Sequence, residues 1–574
     1  MNKKNIVALA GLALSTGGVL AAPAGQTYFE QNCASCHTVD SKLGSRAGPG
    51  LFNVVGRKAA SVAGYNYSAA LAKAGAAGKT WTKEELDTFL RDPGKDVPGT
   101  TMPIGIADAK QRAAVIDWLG TQRGQVAAAA PVAGAKTAAK DGAWTEDKPG
   151  DLHHITVDQL VAPYGTDSAG NGPKVAKRPD GAMPAVPKGF KVSIFADDTA
   201  RARYALRAPN GDIILADTGR DRITILRPNG EQAGTANVFA TGLSRPYGLA
   251  LWPAANPKYL YVANVDSVVR FPFAVGDLKA RGKQETVVEK ISDTSGGHTT
   301  RTLAFSKDDK TMLLSVGSAT NVAAGIGATP PQPLAQWEKV HGLGGAWGEE
   351  TDRAAVLAFD PDGKNRRTYA TGLRNCVGMF VHPATGDLFC SVNERDELGD
   401  NLPPDYVTRV KQGGFYGWPW YYLGAHEDPR LKGIRPDLKD KAIVPDTLIQ
   451  AHSAPLGMAV YQAPAGAKHA FPKEYEGDVF VALHGSWNRG IRTGYKVVRV
   501  MMKDGVPTGR YQDFMTGMVL SDRDVWGRPT AVTVAADGAL LVLDDAGGVM
   551  WRIVPAREVC IEKSVILAPP DLII

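Results

Sequence analysis

Cysteine is scarce in this chain: five in 574 residues, too few for a disulfide-stapled scaffold. No basic tract stands out and the formal net charge is only +6, which argues against a nucleic-acid partner. Beyond the first two dozen residues no apolar run is long enough to cross a bilayer, so stable membrane insertion is not expected. No two cysteines are adjacent, and C-x-x-C occurs once. Between residues 24 and 150 there is a single histidine, His37, and a single methionine, Met102. That last shortage is the most telling, because it leaves few choices for any site in this region.

What is present is Cys33-Ala34-Ser35-Cys36-His37. C-x-x-C-H is the attachment sequence for a c-type haem: both thiols bond to the porphyrin and the histidine binds the iron. A zinc or dithiol-redox C-x-x-C is the other reading, but no second ligand pair stands nearby. Met102, in the turn-forming Gly99-Thr100-Thr101-Met102-Pro103, is left by elimination as the second axial ligand, which raises the potential. A helix is predicted from Ala109 to Gln122, with Ala113, Ile116, Trp118 and Leu119 on its apolar side.

Lys3, Lys4, the small and apolar run from Ile6 to Leu20, and Ala22-Pro23-Ala24 read as a secretory signal cleaved between Ala24 and Gly25. The expected location is the periplasm. Residues 124–150, rich in Ala, Gly and Pro, read as a linker that cannot bury a core. His153-His154 follows; a surface or packing role suits adjacent histidines better than a shared metal.

From about residue 190 one unit recurs: an apolar strand, a turn with Gly, Asn or Asp, and a returning strand. The copies start near Arg203, Arg245, Arg301, Arg374, Leu456 and Arg528. Six hairpin units that cannot bury both faces alone predict a six-bladed β-propeller. The longest insertions are 318–350 and 393–450, where function gathers. Cys376 and Cys390 lie on two arms of one hairpin and either bridge or stay free, while Cys560 is left unpaired. Five copies carry an Arg just before the first strand: Arg203, Arg245, Arg301, Arg374 and Arg528. A ring of guanidinium groups around the axis predicts a polyanionic ligand. The alternative is pairing with local acids such as Asp217 or Asp266.

Two resemblances follow. Gly48-Pro49-Gly50-Leu51, Gly56-Arg57-Lys58, Gly64-Tyr65-Asn66-Tyr67, Trp81 and Met102 stand in the order of class I cytochrome c, which residues 25–123 resemble. That family uses the carbonyl of such a Pro to orient the haem-ligating His. Residues 151–557 resemble soluble glucose/sorbosone dehydrogenases that use pyrroloquinoline quinone (PQQ), closest to the sorbosone branch. The matches are Gly297-His298-Thr299-Thr300-Arg301, Gly372-Leu373-Arg374-Asn375, Ser391-Val392-Asn393-Glu394-Arg395-Asp396 and Gly413 to Pro419. This resemblance implies His298 as catalytic base and Arg374, Asn375 and Arg528 as PQQ contacts. It implies a Ca²⁺ at Asn393, Glu394, Arg395 and Asp396, and a second at Asp405. The family's cofactor Lys is missing from His484 to Arg489, and Gly297 replaces an Asp, so the sugar pocket should differ.

The expected architecture is therefore an all-α class I cytochrome c followed by an all-β six-bladed propeller, with a tail at 558–574. The expected function is a periplasmic dehydrogenase that oxidises an aldose, a sorbosone-like aldosulose or a related sugar or aldehyde. Electrons would pass through PQQ and haem c to an external acceptor: a soluble cytochrome, a cupredoxin or a terminal oxidase. Rival readings are a cytochrome cd1-like reductase, which needs eight blades and a second haem, and a non-enzymatic cytochrome–propeller scaffold. Quinohaemoprotein alcohol dehydrogenases are set aside because they use adjacent cysteines. A propeller lactonase gives the haem no purpose.

Overall fold

Polar caps start the helices of the N-terminal region. Ser68, Thr82, Asp92 and Asp108 each accept from a backbone N–H three residues on, satisfying donors that a helix start leaves open. The helices are α1 (Ala24–Asn32), α2 (Ala69–Ala76), α3 (Lys83–Arg91), α4 (Pro93–Asp96) and α5 (Ala109–Thr121). A computed structural model describes residues 24–33, 37–39, 48–62, 65, 67–100, 102, 105–124, 142–166, 168–199, 201–292 and 297–556. The expected signal (save Ala24), Cys36, most of the expected linker, and the tail with Cys560 lie outside the described residues. The chain divides into two units, residues 1–129 and 130–574.

In the first unit Phe29, Trp81, Leu86, Phe89, Val115, Ile116 and Leu119 form the core. The inward face of α5 differs from expectation. Arg112 is buried on it while Ala113 is exposed. Arg112 earns that place by pairing with Asp87 at 2.8 Å and donating to the carbonyls of Ile106 and Ala107, which a hydropathy count cannot foresee.

The second unit is a six-bladed propeller of antiparallel sheets. Its innermost strands adjoin one another around the axis: Tyr204–Arg207, Leu249–Trp252, Leu303–Phe305, Cys376–Val381, Pro455–Val460 and Pro529–Val534. Each pairs with the returning strand read from sequence, for example Ile213–Asp217 and Leu540–Asp544. The last blade takes its outer strand from the start of the unit, Phe190–Ala196 beside Val549–Pro555, which closes the circle and removes a free edge.

Three details depart from the sequence reading. Inside the 393–450 insertion, Asp405–Val410 and Thr447–Ile449 are the outer strands of the fourth blade. Residues 142–150, assigned by composition to the linker, pack on the fifth blade. Asp147 meets the buried Lys496 at 2.7 Å, and Trp144 Nε1 donates to Asp522 at 2.8 Å. Leu152–His154 then adds a fifth strand to that blade, with His153 stacked on Tyr511, a packing role. Cys376 and Cys390 are bonded across the fourth blade's inner hairpin.

Candidate active site

Antiparallel pairing puts the start of every innermost strand beside the end of its returning strand. Residues just before the first and just after the second therefore gather at one end of the propeller. There a cavity of about 300 Å³ is lined by Arg203, His298, Arg374, Asn375, Asn393, Glu394, Asp396, Asp405 and Arg528. All nine were singled out from sequence. The same cavity also takes His452, His484 and Trp487, which were not.

The arginines are not equivalent. Arg528 gives Nε to the His484 carbonyl at 3.1 Å, and its terminal nitrogens make no hydrogen bond among the described residues. Arg203 Nε is buried without a hydrogen-bond partner, 3.7 Å from Asp545. These two are open to an anion. Arg374 has spent four of its five N–H groups: it donates to both oxygens of Asn321 and to the carbonyls of Asn393 and Glu394. Arg301 is fully buried but does not line the cavity; one terminal nitrogen donates to the carbonyls of His298 and Thr300 at 2.7 and 2.9 Å, while Nε and Nη2 are buried without a hydrogen-bond partner. Arg245 is exposed, with φ of +47°, and stands four residues ahead of its strand. At the cavity the five-membered ring thus reduces to two open guanidinium groups and a third, Arg374, mostly spent on protein oxygens. Position before a strand sets the backbone and not the direction of a long side chain.

The acidic loop does not form a calcium cage. Asp405 uses both oxygens on the backbone N–H groups of Glu394 and Ala454. Asp396 faces His452 at 3.4 Å and Arg374 at 3.6 Å. Arg395 turns to Asp428 at 2.6 Å, outside the cavity. The Asn393 side chain donates to the Pro455 carbonyl. Among the described residues no group of three or more His, Cys, Asp or Glu is arranged to hold a metal. Burial instead pushes the Glu394 and Asp405 carboxyls up to about 7. Glu394 Oε1 is buried without a hydrogen-bond partner, but one free carboxylate oxygen falls short of the roughly six to eight oxygens that Ca²⁺ takes, so this donor set does not fit Ca²⁺.

Three histidines remain. Burial, then the Arg374 charge, lowers His298 to about 3. Burial and Arg528 lower His484 to about 4, and its Nε2 lies 3.0 Å from Asp545. His452 is different: burial opposes its charge, but Asp396 and the Gly399 carbonyl outweigh burial and raise its pKa. Trp487, 42% exposed, is the single aromatic residue of the cavity lining. These side chains come from the ends of second strands and from insertions. The segment His484 to Arg489, where the related enzymes' Lys is missing, was the available signal.

A carboxylate-rich planar ligand such as PQQ fits this donor set. Arg203 and Arg528 face it with unspent donors, and buried Asn375 Oδ1, which has no partner, is an acceptor left for a ligand N–H. In the first unit His37 Nδ1 lies 2.8 Å from the Pro49 carbonyl, which leaves Nε2 for iron. A side chain at Gly48 would strike that ring, since its Cβ would stand 2.2 Å from His37 Cε1. Met102 and Cys33 pack on the same core. These residues fit a haem.

Comparison with known proteins agrees with this division. Residues 184–410 and 438–556 match the model of the TrAA12-like family, and residues 22–123 match the cytochrome c model. The first region is similar in fold to the PQQ domain of pyranose dehydrogenase from Coprinopsis cinerea. Identity is 20%, the TM-score is 0.51, and the match covers 67% of this chain and 99% of that one. An AA12 enzyme of Trichoderma reesei matches at 18% identity and a TM-score of 0.52, covering 65% of this chain and 97% of its own. Cytochrome c type-1 of Ascaris suum is 40% identical over 96 residues, 17% of this chain and 82% of the relative. The chain belongs to the TrAA12-like family through its propeller and carries a cytochrome c domain in front of it.

Proposed function

We propose that this protein is a PQQ-dependent dehydrogenase that oxidises a sugar or sugar-derived aldehyde, an aldose or a sorbosone-like aldosulose, and delivers the electrons through its own haem c. The observation that carries the reading is a single cavity holding a neutral histidine, two open arginines and an exposed tryptophan, on a chain that also carries a C-x-x-C-H cytochrome. When bound, PQQ supplies a two-electron acceptor and haem c a one-electron outlet.

The chain's own residues do the rest. Arg203 and Arg528 bind and orient ligand carboxylates, and Asn375 Oδ1 accepts from a ligand N–H. His298 takes the proton of the substrate hydroxyl, or of a hydrated aldehyde, at Nε2. An imidazole that stays neutral is suited to that task. Trp487 offers a flat apolar face to the C–H side of a sugar ring at the cavity mouth. Cys33 and Cys36 would hold the haem by thioethers, and His37 and Met102 its iron. No step is assigned to calcium.

No helix among the described residues is long and apolar enough to cross a membrane. The signal expected from the first 24 residues supports work in the periplasm and delivery to a soluble cytochrome, a cupredoxin or a terminal oxidase. Purified protein loaded with PQQ should show reduction of the haem bands when a sugar or aldehyde substrate is added without oxygen. An oxidised haem throughout a broad panel, with PQQ demonstrably bound, overturns the reading and leaves the scaffold alternative.

A further inference from the structure

The neighbours of His298 decide which of its nitrogens can accept a proton. Nδ1 lies 3.0 Å from the Ser318 carbonyl oxygen and 2.9 Å from Ser318 Oγ. A carbonyl oxygen only accepts. The Ser318 hydroxyl has one proton, and it is donated to the Thr320 carbonyl at 2.7 Å. Both groups facing Nδ1 are thus acceptors, so Nδ1 carries the ring proton. Nε2 keeps its lone pair on the ring edge away from Ser318.

The turn that carries Ser318 is itself held from behind. Glu350, 1% exposed, accepts from the N–H groups of Ala319 and Thr320 and from the Thr320 hydroxyl, at 2.7, 2.8 and 2.8 Å. Arg353 donates to the carbonyls of Gly317, His298 and Ser318. Arg301 adds a second cation on the His298 carbonyl. Close approach is built in: a Cβ on Gly297, whose φ is +68°, would stand 2.0 Å from the Ala319 carbonyl oxygen, and one on Gly317 would stand 2.7 Å from His298 Cβ.

We infer that Ser318, backed by Glu350 and Arg353, is the device that locks His298 in its Nδ1–H tautomer and presents Nε2 to substrate. These three are positioning residues, and the inference rests on the proposed reading in which His298 is the base. Charge matters as well as geometry. A carboxylate at position 318 would stabilise an imidazolium; a hydroxyl and a carbonyl do so weakly. The charged groups around the ring are Arg374, Arg353, Arg301, Glu350 and Asp396, of which Arg374 and Arg353 oppose its protonation and Asp396 favours it. The base therefore stays neutral while held by neutral acceptors.

The test uses the full chain without PQQ, labelled with ¹⁵N-histidine, with His298→Gln to identify the signal. Ring-nitrogen shifts should show a protonated Nδ1, a bare Nε2 and no protonation between pH 5 and 8. Ser318→Asp should keep the tautomer and move the titration midpoint up by at least about one pH unit. In PQQ-loaded protein the same variant should shift the acid limb of kcat/KM upward with KM unchanged. Glu350→Gln, which keeps a carbonyl oxygen for the turn, should retain more activity than Glu350→Ala. A protonated Nε2 in the wild-type protein overturns the inference, and this result needs no variant to fold. An unmoved midpoint in folded Ser318→Asp overturns it too. The expected tautomer and midpoint in a protein whose haem no substrate reduces uphold the inference and sink the functional reading instead.

Discussion

A base acts only while neutral, so the protonation of His298 sets the pH range of the reaction. Burial and the Arg374 charge hold its pKa down to about 3. The neutral form is complete above about pH 5 and is lost only as pH falls through that value. The rate constant kcat/KM for haem reduction should accordingly show no acid limb from this residue between pH 5 and 8. His298→Gln should slow substrate-dependent haem reduction by about 10²–10⁴-fold, with the haem spectrum intact. Stopped-flow absorbance checks both; a near wild-type rate would remove His298 from the chemistry. Arg203 and Arg528 make a second residue-level prediction. Loss of one charge-assisted contact is worth roughly 1.5–3 kcal/mol, so Arg528→Ala or Arg203→Ala should weaken PQQ binding about 10- to 100-fold. Arg245→Ala should leave it unchanged. Fluorescence or calorimetric titration with PQQ separates these outcomes. What is legible in sequence at this scale is position: His298, Arg374 and Arg528 stand within five residues of the start of innermost strands, and the fold brings them together. Direction is not legible. Arg301 stands at an equivalent place yet does not line the cavity, and one of its terminal nitrogens is spent on backbone carbonyls. His452 comes from a loop whose path only the folded insertion reveals.

The innermost hairpins are the most readable elements, because each alternates short apolar strands with a Gly, Asn or Asp turn. Outer strands such as Gln232–Thr241 are half exposed and carry no comparable signal, and Asp405–Val410 hides behind an acidic start. The last hairpin shows how an element serves the site. Asp544 ends the returning strand with no exposed surface. Its Oδ1 accepts from the N–H of Arg528 at 2.7 Å and of Gly547 at 2.8 Å, which fixes the backbone from which Arg528 reaches the cavity. Asp544→Ala would take the acceptor from both N–H groups and should cost about 1–3 kcal/mol. Asp544→Asn keeps an oxygen for both and removes the charge, giving up only the long 3.4 Å bond that Oδ2 accepts from Trp551 Nε1. Burial raises the Asp544 carboxyl from 3.8 to about 6. The folded state then binds the proton more tightly than the unfolded one, so this group costs stability as pH rises from about 4 to about 6. Asp544→Asn should match the wild type near pH 4 and exceed it at pH 7.5 in thermal unfolding. Equal pH slopes for the two proteins would contradict the burial argument.

For the whole molecule the two units have complementary chemistry, and the chain between them carries the functional argument. Residues 125–141 are dominated by Ala, with a few Lys and Val, a composition unable to bury a core. Such a segment converts a meeting of two proteins into an intramolecular event at millimolar effective concentration. If the propeller hands electrons to its own cytochrome, haem reduction after substrate addition must be first order and independent of protein concentration. Cutting the chain at an engineered protease site placed within 125–141 should leave propeller turnover with an artificial acceptor unchanged. Haem reduction should then become second order, slowing in proportion as both pieces are diluted below micromolar levels. A rate that stays independent of dilution after complete cleavage would mean that the units hold together without the tether. A rate already dependent on concentration in the intact chain would mean that each propeller serves the haem of another molecule. Replacing Met102 with a histidine lowers the haem potential and supplies the control, because it should reduce the extent of haem reduction in both intact and cleaved protein without altering the order of the reaction.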